Sequence, residues 1–332
     1  MMVRRATITG LGKYVPPKVL TNKDLEKMVD TSDEWITTRT GIKERHIADN
    51  DVPASELGLK AAREALQDSG LTAEELDLIL VATVTPDMLF PATACIIQEK
   101  LGATKAAAFD LEAGCSGFIY GLSVAASFIE SGMYENILVI GTEILSKITD
   151  WEDRSTCVLF GDGAGAAVLQ PTEKGGLLAF DLGADGSGAN TLYLPGGGSL
   201  NPADETTIKE KMHYLKMEGN QVFKFAVKRM GQASLDVLKK ANLKPEDVDL
   251  LVPHQANTRI IDAAAKRLNL GEDKVFVNLP KYGNTSSASI PIALVEAREN
   301  GLVNNGDIIV LVAFGAGLTW ASTVIEWNEG EK

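Results

Sequence analysis

The sequence predicts an α/β protein with a mostly parallel sheet covered on both faces, and it predicts that this unit occurs twice. From Leu76 onward, segments of helical spacing alternate with continuous apolar strands such as Leu76–Val84, which lack the polar alternation of a half-exposed sheet. The second observation is an internal repeat. Ala65-Leu66 through Leu71-Thr-Ala-Glu-Glu-Leu-Asp-Leu-Ile-Leu-Val81 is echoed 172 residues later by Val237-Leu238 through Leu243-Lys-Pro-Glu-Asp-Val-Asp-Leu-Leu-Val-Pro253. Gly114-Cys115, a helix and Glu130-Ser-Gly132 return 169 residues later as Gly283-Asn284, a helix and Glu299-Asn-Gly301. Duplication explains both echoes and divides the chain into halves 1–172 and 173–332. A pseudo-twofold axis between them would bring the helix starts at Cys115 and Asn284 towards each other, which nominates the two as partners.

In chain order, residues 3–9 read as a strand that Gly10-Leu-Gly12 turns into a loop with Pro16-Pro17. Asn22 to Val29 has helical character. Ser32 or Asp33 caps a further helix through Trp35, and Arg39 to Arg45 reads as a polar connection. Leu57, Leu59, Ala61, Ala62, Ala65 and Leu66 give one apolar helix face between Ser55 and Ser69, stopped by Gly70. Ala106 to Phe109 reads as a buried strand leading into Gly114-Cys115-Ser116-Gly117, and a helix follows from Phe118 to Ile129. Cys115 therefore falls at a helix N-terminus, where unpaired N–H groups and the helix dipole favour a thiolate. A buried structural thiol is the competing reading of any isolated cysteine. Gly183 to Thr206 is rich in Gly, Asn, Asp and Pro and reads as loop or hairpin. Strands at Asn136–Ile140 and Asp307–Val312 complete the two copies.

The formal net charge of −13 argues against nucleic acid or an anionic membrane as the main partner. Three cysteines, Cys95, Cys115 and Cys157, are too few for a disulfide framework, and no pair has metal-ligand spacing. Both points fit a reducing compartment. The N-terminal residues carry charge without a sustained apolar core, unlike a signal peptide, and no apolar run reaches transmembrane length. The expectation is a soluble cytoplasmic protein.

Of three histidines, His254 ends the apolar strand Leu250-Leu-Val-Pro-His-Gln-Ala-Asn257, where catalytic groups of α/β sheets gather. His46 and His213 lie in polar contexts and read as surface residues. Asn284, in Lys281-Tyr-Gly-Asn-Thr-Ser-Ser-Ala-Ser289, also suits a helix cap. Phe314-Gly-Ala-Gly-Leu318 offers backbone N–H groups for an oxyanion. Phe160-Gly-Asp-Gly-Ala-Gly165 lacks the spacing of a nucleotide loop and reads as a tight core turn. A Cys, His and Asn set permits hydrolysis, with Asn orienting a Cys–His pair, or acyl transfer to carbon, with His and Asn donating to a thioester carbonyl that becomes an enolate.

Nearly the whole chain resembles β-ketoacyl-[acyl-carrier-protein] synthase III, the initiating condensing enzymes of type II fatty-acid synthesis. The motifs are Thr31-Ser-Asp-Glu-Trp-Ile, Thr38-Arg-Thr-Gly-Ile, the Cys115 segment, Phe160-Gly-Asp-Gly-Ala-Gly-Ala-Ala-Val168, Val252-Pro-His-Gln-Ala-Asn257 and Gly283-Asn-Thr-Ser286. The resemblance implies the thiolase fold, with duplicated α/β halves in layered αβαβα order, and a homodimer. It implies that Cys115 takes an acyl group from a coenzyme A thioester, acetyl-coenzyme A foremost, with the backbone N–H groups of Cys115 and Ala316 holding the oxyanion. His254 and Asn284 would bind the thioester carbonyl of malonyl-[acyl-carrier protein] as carbon dioxide leaves. Coenzyme A is a substrate here, and no cofactor or metal is implied. Trp35 and Arg154 match residues that sandwich its adenine, and Arg39, Gly219, Asn220, Phe223, Ala256 and Arg259 match positions along its tunnel. Arg259, Lys266 and Arg267 would receive the acidic carrier protein, although Lys266 and Arg267 also suit a solvated helix face. Phe90 matches a residue that crosses the dimer to line the acyl pocket.

Gly114-Cys115-Ser116 and Gly315-Ala-Gly-Leu318 depart from the commonest family pattern in small residues, which bears on pocket shape and starter preference. A thiolase would place a second catalytic cysteine near the last glycine turn, and Leu311 to Trp320 contain none. A non-catalytic acyl-binding partner would lack the nucleophile. A related secondary-metabolite acyltransferase and an acyl-coenzyme A hydrolase using the same cysteine are the alternatives.

Overall fold

The computed structural model describes residues 4–328. Nine strands form two sheets. In chain order they are β1 (Arg5–Tyr14), β2 (Leu78–Ala82), β3 (Ala107–Leu111), β4 (Ile137–Ile144), β5 (Asp162–Thr172), β6 (Gly176–Ala184), β7 (Leu250–Pro253), β8 (Ile308–Gly315) and β9 (Thr319–Glu326). The first sheet has the order β1-β5-β4-β2-β3 and the second β7-β8-β9-β6. The strands β4, β2 and β3 are parallel, as are β7 and β8, while β1, β5, β6 and β9 join antiparallel. The sheets are thus mixed rather than mostly parallel.

Seven helices build the layers: α1 (Asp33–Thr40), α2 (Ala54–Ser69), α3 (Thr93–Leu101), α4 (Gly117–Glu130), α5 (Gly219–Lys240), α6 (Thr258–Arg267) and α7 (Ser289–Glu299). Helices α4 and α7 lie between the two sheets and share one core with both: Phe118, Leu122 and Ile129 of α4 and Ile290 and Leu294 of α7 pack with Leu80, Val139, Leu250 and Leu311. Enclosure on both sides explains why these two helices are almost wholly apolar where they are buried. On the outer faces, α2 and α3 cover the first sheet and α5 and α6 the second. The layer order is αβαβα, as the resemblance implies.

Several local expectations are corrected. Val3 lies outside the described residues, and β1 runs straight through Gly10-Leu-Gly12 to Tyr14 instead of turning there. A Cβ on Gly10 would sit 2.3 Å from Ala65 O, and one on Gly12 would sit 2.2 Å from Ala61 O, so these glycines let α2 lie directly on the strand. The α-helix beginning at Asn22 closes at Leu25. Ser32 is the cap of α1, with Trp35 N–H donating to its Oγ at 3.1 Å. The span 39–45 is no simple polar connection: α1 extends to Thr40, and Glu44–His46 pairs with Val19–Thr21. Arg45 is fully buried there, donating to Leu20 O at 3.2 Å, Asn22 Oδ1 at 2.8 Å and Val158 O at 2.7 Å. Burial lowers its guanidinium to about 10, so it remains a cation at neutral pH, held by neutral oxygens. His46 and His213 are half-buried, not surface residues: His46 Nδ1 lies 2.5 Å from Pro16 O, and His213 Nε2 lies 3.1 Å from Thr207 Oγ1. Gly161 to Gly165 leads into β5 instead of forming a turn, and Asp162 accepts from Ala48 N–H at 2.7 Å and Ser146 Oγ at 2.6 Å. Ala106 to Phe109 is not a buried strand. Ala107 to Phe109 lie in β3, the open edge of the first sheet, where Phe109 is 39% exposed, and Ala106 precedes it.

Candidate active site

Cys115 sits in a single helical turn, Gly114–Ser116, between β3 and α4, so its backbone N–H points out of a helix start with no intrahelical acceptor. This turn packs against the turn Ser286–Ala288 that precedes α7 and against the end of β8. The approach is as close as backbone allows. A Cβ on Gly315 would lie 2.5 Å from Cys115 N, and one on Gly114 would lie 2.7 Å from Ala316 N. Glycine at both positions therefore brings the amides of Cys115 and Ala316 side by side, and Gly114 also holds φ at +55°. Both residues line a cavity of about 390 Å³, walled by Val84, Leu145, Phe160 and Leu192 among others. Its lining is apolar apart from Cys115 itself, Glu112, Tyr193, Ser286 and Thr319, which suits a short acyl chain.

The helix terminus does not leave Cys115 ionised. Enclosure pushes its thiol up to about 12, and the carboxylates of Glu143 and Glu112 add to this, against hydrogen bonding from Ser286 and its own backbone. The resting group is a thiol. The helix dipole acts on the charge that appears at sulfur as the proton leaves.

His254 follows β7, donates its backbone N–H to Val312 O at 2.8 Å and is 1% exposed. Its ring meets Phe314 edge-on with centroids 5.6 Å apart. Burial lowers the imidazole to about 3, so it is neutral throughout the physiological range. Nδ1 lies 2.6 Å from Ser289 Oγ, and Nε2 is buried with no protein partner. Asn284 is anchored by its backbone to the strand side: its N–H donates to Leu159 O at 2.9 Å, and Gly161 N–H donates to its carbonyl at 3.0 Å. Ser286 N–H donates to Asn284 Oδ1 at 2.9 Å, which leaves the amide NH₂ as the group that side chain can donate with. Cys115 and Ser286 line the same cavity, Ser286 N–H holds Asn284 Oδ1, and Ser289, three residues on, meets His254; His254 and Asn284 themselves are not in that lining.

The outer residues form three groups. Arg154 lies over the Trp35 ring with its guanidinium 5.1 Å from the centroid, and Arg39 lies 5.8 Å from the same ring. Arg259 covers the Phe223 ring at 4.8 Å, bringing α6 onto α5, which Gly219 and Asn220 begin, while Ala256 packs partly buried beside them. Lys266 and Arg267 line a groove between α5 and α6 that also contains Lys228 and Arg229. Phe90 is not at the cavity of its own chain. It is 83% exposed beside Leu89 and Met88 on an outward loop.

Sequence reasoning missed Ser286, Ser289, Glu143 and the Lys228–Arg229 pair. Glu143 was visible as a lone charge in the apolar run Ile137–Ile144, and Lys228 and Arg229 as adjacent bases in α5. The two serines gave no signal, because a serine-rich helix start is ordinary capping sequence.

Among the described residues, no helix is long and apolar enough to cross a membrane. Residues 109–186 match the family model for 3-oxoacyl-[acyl-carrier-protein] synthase III, and residues 238–327 match its C-terminal model. A β-ketoacyl-[acyl-carrier-protein] synthase III from Caldanaerobacter subterraneus is 62% identical over 98% of this chain and 98% of its own. One from Desulfitobacterium hafniense is 61% identical over 97% and 98%. The crystal structure of the Aquifex aeolicus 3-oxoacyl-[acyl-carrier-protein] synthase III superposes with a TM-score of 0.90 at 52% identity, covering 97% of this chain and 100% of that one. The priming β-ketosynthase of the R1128 polyketide pathway superposes at 0.91 with 37% identity, covering 99% and 98%. With relatives this similar along its whole length, the chain belongs to the β-ketoacyl-[acyl-carrier-protein] synthase III family of acyltransferases.

Proposed function

We propose that the protein initiates fatty-acid synthesis by condensing a short acyl-coenzyme A, acetyl-coenzyme A foremost, with malonyl-[acyl-carrier protein]. The observation that carries this reading is the glycine-enforced contact that sets the Cys115 and Ala316 amides together at an apolar cavity of about 390 Å³. Cys115 attacks the thioester carbonyl, the two amides hold the oxyanion, and the proton lost from sulfur balances the departing coenzyme A thiolate. His254 Nε2 and the Asn284 amide then donate to the malonyl thioester carbonyl. Carbon dioxide leaves, the enolate carbon attacks the acyl-Cys115 carbonyl, the bond to sulfur breaks and Cys115 regains a proton from solvent, and the β-ketoacyl thioester departs on the carrier protein. A neutral imidazole beside an amide suits a step that needs donors and no base.

The remaining residues fit the two substrates. Adenine would enter between Trp35 and Arg154, whose present contact shows the distance the guanidinium must open. Arg39, Gly219, Asn220, Phe223 and Ala256 would follow the pantetheine arm. Arg259, Lys266 and Arg267, joined by Lys228 and Arg229, form a basic site for an acidic carrier protein on a chain of net charge −13. Two features support a homodimer: the exposed edge strand β3 and the apolar tip Met88-Leu89-Phe90, which would complete the partner's acyl pocket. The two halves of the chain, 1–172 and 173–332, would supply Cys115 on one side and His254 and Asn284 on the other. Cytoplasmic location belongs to the same reading.

An acyl-coenzyme A hydrolase needs a base to activate water, and an Nε2–H imidazole lacks one. A priming role in polyketide assembly rests on the more distant R1128 relative. Incubation with acetyl-coenzyme A and malonyl-[acyl-carrier protein] tests the proposal: acetoacetyl-[acyl-carrier protein] and carbon dioxide should form in equal amounts, whereas free acetate as the main product would make the protein a hydrolase.

A further inference from the structure

The mechanism leaves a fully buried carboxyl group close to the nucleophile unused. Glu143, near the end of β4, is 0% exposed, and none of its hydrogen-bond partners is a cation. Oε2 accepts from Thr85 Oγ at 2.7 Å and Val84 N–H at 3.1 Å, with Thr83 Oγ at 3.3 Å. Oε1 accepts from Ser286 Oγ at 2.9 Å and faces Ser287 Oγ at 2.9 Å. A buried ion without a counter-ion is costly, so its presence beside the nucleophile calls for a use.

We propose that Glu143 is a positioning residue of the condensation site: it clamps Ser286 so that the Asn284 amide hydrogens stay free to donate, and by holding the Ser286 hydrogen and by its own charge it disfavours a Cys115 thiolate. The first part follows from Ser286, whose φ of +49° is a left-handed conformation that costs a non-glycine residue energy. Its side chain is held by Glu143 and its N–H by Asn284 Oδ1, so the strained turn and the carboxamide are fixed together. The second part follows from hydrogen counting. Ser286 has one hydroxyl hydrogen. While it donates to Glu143, that hydrogen is not available to a negative sulfur. Glu143 and Glu112, from the ends of β4 and β3, both oppose a negative sulfur, and the buried His254 is neutral and offers no charge against them.

Glu143→Gln is close to isosteric. The amide oxygen can keep Thr85 and Val84, while its NH₂ replaces Oε1. Ser287 can then donate to Ala82 O, 2.8 Å away, and Ser286 can turn its hydrogen to Cys115. The inference for Asn284 rests on the condensation reading, and the inference for Cys115 does not. Iodoacetamide alkylation of Cys115 should therefore be followed against pH by peptide mass, because the exposed Cys95 also reacts. At pH 7 the variant should alkylate at least about tenfold faster than native protein, since one unit of thiol pKa is tenfold in thiolate. Decarboxylation of malonyl-[acyl-carrier protein] by the acylated variant should fall about tenfold. Ser286→Ala removes the clamp and keeps the charge: decarboxylation should fall while alkylation gains no rate at low pH. A folded Glu143→Gln protein with the native alkylation profile overturns the electrostatic role. Native decarboxylation in Ser286→Ala overturns the clamp, even if Glu143→Gln fails to fold. Native protein that alkylates but never decarboxylates malonyl-[acyl-carrier protein] would refute the proposed function and the Asn284 role, leaving the thiol result standing.

Discussion

Ser289 Oγ lies 2.6 Å from His254 Nδ1, and the Gln255 N–H points at the same oxygen from 3.4 Å. A hydroxyl that accepts from an amide still has its own hydrogen to give, and on the condensation reading Ser289 gives it to Nδ1. The ring proton then sits on Nε2, the nitrogen without a protein partner. On that reading His254 is a hydrogen-bond donor towards the site while it stays neutral. Ser289→Ala releases the tautomer and removes one hydrogen bond of about 1 kcal/mol. Malonyl decarboxylation should slow by roughly tenfold, about 1.4 kcal/mol, with acylation of Cys115 unchanged in stopped-flow release of coenzyme A. Equal slowing of both steps would place Ser289 in general packing.

Gly315→Ala tests the oxyanion site. Its new Cβ would fall 2.5 Å from Cys115 N and 3.1 Å from Ser116 N, contacts that only a backbone shift relieves. Losing one aligned donor costs about 100- to 1000-fold in acyl transfer, so acylation should fall by that order. Iodoacetamide should still alkylate Cys115, because alkylation forms no oxyanion.

Trp35→Ala removes the stacking platform under Arg154. Base stacking on an aromatic ring is worth about 1–3 kcal/mol, so KM for acetyl-coenzyme A should rise about tenfold or more. With an N-acetylcysteamine thioester, which has no adenine, the variant should match native protein.

Burial raises the Glu143 carboxyl above its usual 4.5. A group whose folded pKa is raised contributes its stability below the unfolded value and loses it as pH rises. The unfolding temperature of Glu143→Gln relative to native protein should therefore increase as pH rises from 4.5 towards neutrality. A difference independent of pH would mean that the Glu143 carboxyl titrates in the fold as it does in the unfolded chain, with no effect of burial.

The layers and the candidate residues Cys115, His254 and Asn284 each left a local trace in the sequence. Continuous apolar strands mark sheets covered on both faces, and Gly114-Cys115 and Gly283-Asn284 occupy matching places in the repeat. What failed depended on contacts distant in sequence. Gly10 and Gly12 resemble turn residues until α2 is laid across them. Arg45 reads as polar loop, because the carbonyls that hold it come from Leu20 and Val158. The thiol state of Cys115 could not be read from its helix terminus, since burial sets it first and an opposing carboxyl group then arrives from β4. Ser286 and Ser289 acquire meaning only from what faces them.

The most direct test of the division of labour is intact mass after incubation with acetyl-coenzyme A alone, on native protein, Cys115→Ala, His254→Ala and Asn284→Ala. The account predicts one acetyl group on native protein and on the His254 and Asn284 variants, none on Cys115→Ala, and an adduct that persists in both His254→Ala and Asn284→Ala when malonyl-[acyl-carrier protein] is added. Complete loss of acetylation in His254→Ala would contradict it, because the imidazole would then be the base for Cys115 and not a donor to the malonyl carbonyl.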